Sequence, residues 1–172
     1  MIKHWTDKGI AEQLQKLEII SDTREQKNEH ILDYLDSMNI SHVTRKLDVG
    51  DYSAQIGDYS LEKDVVVERK HTLDEICTNL TSDRDRFERE FIRCRAFGIK
   101  VFLLIEDSSW NDIFLQNYRS KLSARSLLAS LLAWQVRYNV TIIFCSSANT
   151  PKLIFQILYY AAREHLIYGK SN

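Results

Sequence analysis

The hydrophobic and polar positions of this chain change their period twice along its length. Apolar residues first recur at helical spacing, as Ile31 and Leu35 do on one face of the stretch 27–38. From 42 to 69 they fall into short runs broken by Gly50 and other turn residues, which is typical of strands. The helical period then returns and alternates with apolar runs. This pattern predicts an α/β fold.

The pattern resolves into helices and strands with definite bounds. We predict helices at 6–16, 27–38, from Thr72, 83–96, 123–138 and from Thr150. We predict strands at 17–21, 42–46, 51–56, 59–61, 65–69, 100–105 and 140–145. The strands between 42 and 69 have the pattern of an antiparallel meander, and the β-branched run 65–67 suits a central strand covered on both faces. The fold class that follows is α/β, with a mixed β-sheet flanked by helices.

The totals favour one globular domain. The chain has 172 residues, of which 44% are hydrophobic, enough to bury a core. We therefore predict a single domain over 1–172, with residues 1–16 as an N-terminal helical appendage. The formal net charge of -1 neither favours nor excludes nucleic acid, because a carboxylate-lined metal site would offset basic residues in the count.

Cysteines and apolar runs indicate the environment of the protein. The chain has three cysteines at long spacing, Cys77, Cys94 and Cys145, which supports neither a disulfide framework nor a zinc site. We expect free thiols in a reducing compartment, so the predicted location is cytoplasmic, nucleoid-associated or nuclear. No apolar run is long enough to cross a bilayer, and we expect no membrane partner.

The candidate chemistry lies at the ends of two predicted strands. Glu68 and Lys70 alternate with Arg69 along a strand, so they project to one side while Arg69 points to the other. Asp51 begins another strand after Gly50, which permits a sharp turn. An Asp and a Glu can hold Mg²⁺ through oxygen ligands, and a neighbouring lysine can orient an attacking water and balance phosphate charge. Such a cluster is suited to hydrolysis of a phosphodiester.

Spacing alone leaves two interpretations of this cluster open. An Asp followed by E-x-K is the loose signature of the PD-(D/E)XK nucleases, but a solvated, charged strand end would contain the same residues. The second interpretation is weakened because Glu68 and Lys70 come directly after three β-branched residues. A charged pair on a strand that is predicted to be central needs partners or a ligand.

A longer motif surrounds the cluster. Asp22-Thr23-Arg24-Glu25 follows a short apolar strand, Gly50-Asp51-Tyr52 comes next, and Glu68-Arg69-Lys70 precedes Asp74 by three spacer residues. These segments resemble the XPF family of structure-specific endonucleases, whose signature is GD-(x)n-ERK-xxx-D, usually preceded by D-x-R-E. The similarity covers about residues 17–165, including the strands VFLLIE and IFCSS. It implies a restriction-endonuclease-like, PD-(D/E)XK fold.

The resemblance also implies an activity, a cofactor and roles for the motif residues. The activity would be cleavage of branched, flap, junction or partly single-stranded DNA in repair or recombination, with Mg²⁺ or Mn²⁺ as cofactor. The metal ligands would be Asp22, Glu25, Asp51, Glu68 and Asp74. The catalytic residues would be Asp51, Glu68, Lys70 and Arg69. The family further suggests a homodimer, and a partner protein that supplies a DNA-binding module.

Arginines are the candidates for contact with DNA. Arg86, Arg89 and Arg93 share one face of the predicted helix 83–96, where they can bind phosphates without reading sequence. The alternative is a solvated helix face, because acidic residues alternate with these arginines. Arg24 is a further candidate by resemblance. For Arg24 and Arg69, a structural ion pair with nearby carboxylates is the alternative.

Two other functions stay open at this point. One is a non-catalytic module that keeps the fold and binds DNA or a partner subunit. Degenerate domains of that kind in the XPF family lose the GD or ERK carboxylates, whereas this chain keeps them. The other is a PD-(D/E)XK junction resolvase of another lineage, with the same chemistry and a different choice of substrate.

Overall fold

The order of helices and strands follows the predicted pattern. A computed structural model of the protein describes residues 5–169. Its helices are α1 (Asp7–Leu14), α2 (Glu29–Ser37), α3 (Leu73–Thr81), α4 (Arg84–Ala96), α5 (Trp110–Phe114), α6 (Ala124–Tyr138) and α7 (Thr150–Tyr168). Its strands are β1 (Leu17–Ser21), β2 (Ser41–Thr44), β3 (Tyr52–Ile56), β4 (Tyr59–Ser60), β5 (Val65–Lys70), β6 (Lys100–Glu106) and β7 (Val140–Cys145). The predicted α/β class is confirmed.

The chain divides into two compact units. The first unit holds the chain up to Val66 together with the chain from Pro151 onward, and the second unit holds Val67–Thr150. Strand β5 begins in the first unit and ends in the second. The single domain with residues 1–16 as an appendage stays a prediction, and residues 1–4 lie outside the described residues.

In the first unit, β1 lies between β2 and β3. β3 runs antiparallel to β1, with Leu17 opposite Ile56 and Ser21 opposite Tyr52. β2 pairs with β1 in parallel, with Ser21 opposite Thr44. The predicted meander is therefore wrong at its first strand, because the crossover helix α2 lets β2 repeat the direction of β1. It is also wrong at β4, which pairs with β3 but does not lie between β3 and β5 in the order of the sheet.

In the second unit, β6 lies between β5 and β7. β6 and β7 are parallel, with Glu106 opposite Cys145 at their ends. Helix α4 packs on β6, and α6 packs on β7. Phe87 and Phe91 of α4 each lie 5.3 Å, between ring centroids, from Trp134 of α6. These aromatic contacts fix α4 against α6 beside the end of β5.

Hydroxyl caps set where several helices of the second unit begin. Thr72 Oγ1 accepts from the backbone N–H of Glu75 at 3.3 Å, and Ser123 Oγ accepts from the N–H of Ser126 at 3.2 Å. Each hydroxyl satisfies an N–H group that the first helical turn leaves without a partner. Ser109 caps α5 in the same way. Helix α5 was not predicted, because five residues are too few to show a helical period.

The cysteines are free thiols, with Cys77 and Cys94 buried and Cys145 half-buried. Burial raises the pKa of the Cys94 thiol to about 11. Within residues 5–169, no helix is both long and apolar enough to cross a membrane.

Candidate active site

Two of the residues predicted as metal ligands, Asp22 and Asp51, have adjacent backbones in the first unit. Because Ser21 pairs with Tyr52, the flanking residues Asp22 and Asp51 lie at the same end of β1 and β3. The backbone N–H of Asp22 donates to the carbonyl oxygen of Asp51 at 2.8 Å. The D-x-R-E and GD segments of the motif are therefore neighbours in space.

Glycine is required at position 50 for two reasons. Its φ is +74°, in the left-handed region that other residues rarely adopt. A Cβ atom at Gly50 would also lie only 2.7 Å from the Cβ of Val66 on β5. The glycine of the GD segment thus permits the tight approach that sets the position of Asp51.

The carboxylate of Asp22 is buried and hydrogen-bonded within the turn. Its Oδ1 accepts from the backbone N–H of Arg24 at 2.8 Å and from Arg24 Nε at 2.6 Å, while its Oδ2 accepts from the N–H of Leu47 at 2.5 Å. Burial raises the pKa of Asp22, but the hydrogen bonds from Arg24 and Leu47 outweigh it and leave the pKa below its ordinary value. Asp22 therefore holds the turn together, and metal binding by Asp22 stays a prediction.

Arg24 and Glu25 complete the first half of the motif. Arg24 pairs with Asp22 and donates from Nη2 to the carbonyl oxygen of Leu47 at 2.9 Å, yet its side chain is 62% exposed. This is the geometry of the structural ion pair, and a DNA contact by Arg24 stays a prediction. Glu25 is half-buried and accepts from the hydroxyl of Tyr52 at 3.2 Å. Metal binding by Glu25 likewise stays a prediction.

Glu68 and Lys70 lie on the same side at the end of β5, as the alternation predicted. Lys70 Nζ is 2.8 Å from Glu68 Oε1 and 3.4 Å from Glu75 Oε1. It also lies over the ring of Phe87, 5.1 Å from the centroid, within the range of a cation–π interaction. The side chains of Glu68 and Lys70 are each 11% exposed. The ammonium group is thus held by several partners, and part of the pair still reaches solvent.

Glu75 is a partner of Lys70 that was not predicted from the sequence. Its Oε2 accepts from the backbone N–H of His71 at 2.9 Å, and its Oε1 is the atom nearest Lys70. The available signal was its place in the first turn of α3, which starts directly after β5. A helix that follows a strand this closely brings its first turn back to the strand end.

Arg69 points to the opposite side of β5 from Lys70. Its side chain is completely buried, and Nη1 lies 3.2 Å from Oε2 of Glu106 on β6. Nδ1 of His71 is also 3.2 Å from that oxygen. This geometry matches the structural ion pair, and a catalytic role for Arg69 stays a prediction. The signal that was missed is a charged residue, Glu106, ending an otherwise apolar strand.

Asp74, the last carboxylate of the motif, faces the loop before α6. Its Oδ1 accepts from the backbone N–H groups of Arg119 and Ser120 at 2.9 and 2.8 Å, and its Oδ2 accepts from Arg119 Nε at 3.1 Å. Burial raises the pKa of Asp74, but these hydrogen bonds outweigh it and leave the pKa below its ordinary value. In this structure Asp74 anchors a loop, and metal binding by Asp74 stays a prediction.

The predicted DNA-binding arginines lie on the outer face of α4. Arg86, Arg89 and Arg93 are all exposed. Arg86 is 3.6 Å from the carboxylate of Asp83, in an exposed ion pair of the kind that contributes little to stability. The opposite face of α4 is buried through Phe87 and other apolar residues. The cationic face is therefore accessible, and its binding to DNA stays a prediction.

The predicted metal ligands suit a hard divalent cation by their chemistry. Carboxylate oxygens are the ligands that Mg²⁺ and Mn²⁺ prefer. Asp51 at the fixed turn and Glu68 at the end of β5 supply such oxygens. Among residues 5–169, which the structure describes, no group of three or more His, Cys, Asp or Glu side chains is arranged to hold a metal.

Comparison with known proteins identifies the family. The family model for the ERCC4 domain matches residues 21–156, most of the chain. The chain belongs to the ERCC4 domain family. The XPF-type nuclease domain implied by the GD and ERK-xxx-D segments is thereby confirmed.

Solved structures share the ERCC4-type fold. XPF from Aeropyrum pernix matches with a TM-score of 0.65 and 21% identity, over 86% of this chain and 66% of that chain. XPF from Aeropyrum pernix in complex with DNA matches with a TM-score of 0.63 and 21% identity over the same shares. The predicted restriction-endonuclease-like fold is confirmed, and the chain spans just under two thirds of the length of these relatives. No match is found among curated protein sequences.

Proposed function

We propose that this chain is a divalent-metal-dependent DNA endonuclease that hydrolyses phosphodiester bonds in branched, flap or junction DNA. The observation that carries the proposal is the Glu68–Lys70 pair at the end of β5, within a complete GD-(x)n-ERK-xxx-D motif. Membership of the ERCC4 domain family supports nuclease chemistry. A relative with the same fold has been solved in complex with DNA, which supports DNA as the substrate class.

Lys70 is the proposed cationic group of the reaction. Its ammonium group is a compact charge that can donate to a non-bridging phosphate oxygen or orient the attacking water. Glu68 and Glu75 restrict its position, so little reorganisation is needed when phosphate charge develops.

Asp51 and Glu68 are the proposed principal ligands of Mg²⁺ or Mn²⁺, an assignment that rests on the motif. When bound, the ion would supply Lewis-acid stabilisation of the phosphoryl charge. We propose a supporting role for Asp22 and Asp74, because their oxygens already accept hydrogen bonds from backbone groups. Glu25 is the proposed additional ligand.

The cationic groups around the motif are the proposed phosphate contacts. Arg86, Arg89 and Arg93 give α4 an exposed basic face, and the side chain of Arg24 is 62% exposed. Contacts of this kind bind DNA without sequence preference and weaken as salt rises. The preference for branched DNA rests on the family resemblance.

A cleavage panel tests the proposal. End-labelled single strands, duplexes, flaps, forks and four-way junctions are incubated with the purified chain and Mg²⁺, Mn²⁺, Ca²⁺ or EDTA. We expect cleavage of at least one branched DNA with Mg²⁺ or Mn²⁺, and none with EDTA. Failure to cut any DNA with either metal would contradict the proposal, and DNA binding without cleavage would favour the non-catalytic alternative.

Matched variants exclude a contaminating nuclease. Glu68→Gln and Lys70→Met should cut at least about 100-fold more slowly, because each removes a group that acts on the reacting phosphate. Glu164→Gln and Lys152→Met make the same changes at exposed positions of α7 and should cut at the unsubstituted rate. Equal cleavage by all four variants would assign the activity to a contaminant.

A further inference from the structure

The charges of this chain are unevenly distributed along the sequence. From Ile113 through Arg163 there is no Asp or Glu, although the chain as a whole has a net charge of -1. Arg119, Lys121 and Arg125 fall in the loop between α5 and α6 and the first turn of α6, and all three are exposed. Asp74 pairs with Arg119 at 3.1 Å, so the local excess of positive charge rests on Lys121 and Arg125. An excess of exposed cations on a chain with a net charge of -1 indicates an anionic partner.

An exposed apolar pair comes shortly before these cations in the sequence. Phe114 and Leu115, at the end of α5, are 62% and 70% exposed. Their neighbour Ile113 is completely buried and Trp110 packs edge-on against Phe144, so α5 is fixed to the second unit while Phe114 and Leu115 are exposed to solvent. An exposed aromatic ring together with cations is the combination that binds unstacked bases and their phosphates.

The loop that carries these groups is held in one conformation. The backbone N–H of Asn117 donates to the carbonyl oxygen of Asp112 at 2.8 Å, and Asn117 Nδ2 donates to Asp112 Oδ1 at 2.9 Å. The hydroxyl of Tyr118 donates to the carbonyl oxygen of Leu122 at 2.8 Å. The carboxylate of Asp74 accepts three more hydrogen bonds, from the backbone N–H groups of Arg119 and Ser120 and from Arg119 Nε. The exposed side chains therefore belong to a loop whose backbone is fixed by hydrogen bonds.

We propose that residues 114–125, the α5–α6 platform, bind single-stranded DNA. Phe114 and Leu115 contact bases, while Arg119, Lys121 and Arg125 contact phosphates. A single strand is favoured over a duplex because its unstacked bases offer faces to an exposed aromatic ring. The cations favour nucleic acid over an apolar protein partner. The inference rests on the proposed function for DNA as the substrate, and it adds a contact separate from the arginines of α4.

The same geometry assigns Asp74 as a positioning residue for the platform. Its carboxylate joins the first turn of α3, which follows the ERK segment, to the loop at 119–120. Removing the carboxylate frees the loop backbone and the Arg119 side chain together. Asp74 therefore acts on DNA through the loop.

Binding without metal tests the platform apart from cleavage. Anisotropy of a labelled oligothymidine strand is measured in EDTA across a salt series, with the full chain and its variants. Phe114→Ala should weaken binding about tenfold through the loss of stacking. Lys121→Ala/Arg125→Ala should lower the salt slope by about 1.4, the value for two phosphates on a single strand. The exposed controls Val136→Ala and Lys152→Ala should stay within about twofold of the unsubstituted chain.

Metal-free binding of the oligothymidine by Asp74 variants tests the positioning role of Asp74. Asp74→Ala should weaken metal-free binding of the oligothymidine, and Asp74→Ala/Phe114→Ala should weaken it by less than the product of the single effects. A residue that only bound metal would leave metal-free binding unchanged, or tighten it by removing a negative charge. Either of those results would overturn the assignment.

The outcomes separate this inference from the proposed function. If the unsubstituted chain binds no DNA, both the proposed function and the platform are wrong. DNA binding and cleavage that survive Phe114→Ala and Lys121→Ala/Arg125→Ala would overturn the platform alone. If Phe114→Ala leaves DNA binding intact but changes the mass of the protein in solution, the surface is a protein interface and the inference is wrong.

Discussion

Arg69 and Lys70 are neighbours in sequence at the end of β5, yet they lie in different environments. Arg69 is completely buried, and its partner Glu106 is 4% exposed. Lys70 and Glu68 are each 11% exposed, and Glu75, which also pairs with Lys70, is 38% exposed. One side of the strand end is a closed ion pair, and the other is an ion pair that reaches solvent.

This difference in burial predicts that Arg69 contributes to folding stability, whereas Lys70 contributes to the cleavage reaction. A closed pair has its charges satisfied inside the protein, so losing one partner leaves an uncompensated buried charge. A pair that reaches solvent can exchange a partner for a phosphate or a cation. We therefore expect substitutions on the Arg69 side to act on folding, and substitutions on the Lys70 side to act on cleavage.

The largest effect is expected on the closed side. Arg69→Met should lower the free energy of unfolding by about 3–5 kcal/mol, because Glu106 keeps a buried charge. Urea denaturation measures the loss. The double variant Arg69→Met/Glu106→Leu should recover most of it, since no charge is then left unpaired. Full stability with loss of cleavage in Arg69→Met would show a catalytic role and break the comparison.

Lys70→Met should have the complementary effect. Cleavage should fall at least about 100-fold, a loss of about 2.7 kcal/mol of transition-state stabilisation. The free energy of unfolding should fall by less than in Arg69→Met, because Glu75 is 38% exposed and Glu68 is 11% exposed, whereas Glu106 is 4% exposed. Single-turnover cleavage and urea denaturation measure the two quantities. Equal losses of stability in Lys70→Met and Arg69→Met would remove the distinction between the two sides.

The GD turn extends the comparison to the first unit. Gly50→Ala should lower the free energy of unfolding by about 1–3 kcal/mol, because alanine is strained at a φ of +74° and its Cβ meets Val66. Thermal unfolding measures the loss. Gly57→Ala is the control, since that glycine has a similar φ of +56° but open space around a Cβ. If the two variants lose the same stability, the close approach to Val66 has no effect of its own.

Acid should remove the contribution of the buried Asp22 carboxylate to the free energy of unfolding. Its pKa is depressed in the folded protein, so its contribution to stability is present above the ordinary value of 3.8 and is lost as the pH falls through the folded pKa. The unsubstituted chain should therefore lose stability below about pH 4 with an added slope of at most about 1.4 kcal/mol per pH unit. Asp22→Asn should lack this slope in thermal unfolding measured against pH. An identical slope would show that Asp22 titrates alike in the folded and unfolded chains.

The smallest effect is expected from Glu75, the most exposed partner of Lys70. Glu75→Gln should slow cleavage by about two- to fivefold, the size of a partly exposed ion pair of at most about 1 kcal/mol. The effect should fall on kcat and leave KM unchanged, because Glu75 orients Lys70 and does not touch DNA. A change in KM alone would point to a direct contact between Glu75 and the substrate.

Sequence patterns were sufficient for every helix and strand except α5, and for the family. The bounds of β1 and β7 were predicted as they are found, because apolar runs ending at polar residues are local signals. The alternation of Glu68, Arg69 and Lys70 correctly placed Arg69 on the side opposite the other two. The GD and ERK-xxx-D segments led to the family that the ERCC4 domain match shows.

Partners across long stretches of chain were decided only by the tertiary structure. Arg69 meets Glu106 across 37 residues, and Asp74 meets Arg119 across 45. The parallel pairing of β2 with β1 also depends on how α2 packs. Periodicity and caps report a few neighbouring residues, whereas an ion-pair partner depends on which strand and helix ends packing brings together. The Glu68–Lys70 pair was therefore readable in the sequence, but Glu75, Glu106 and the loop held by Asp74 were not.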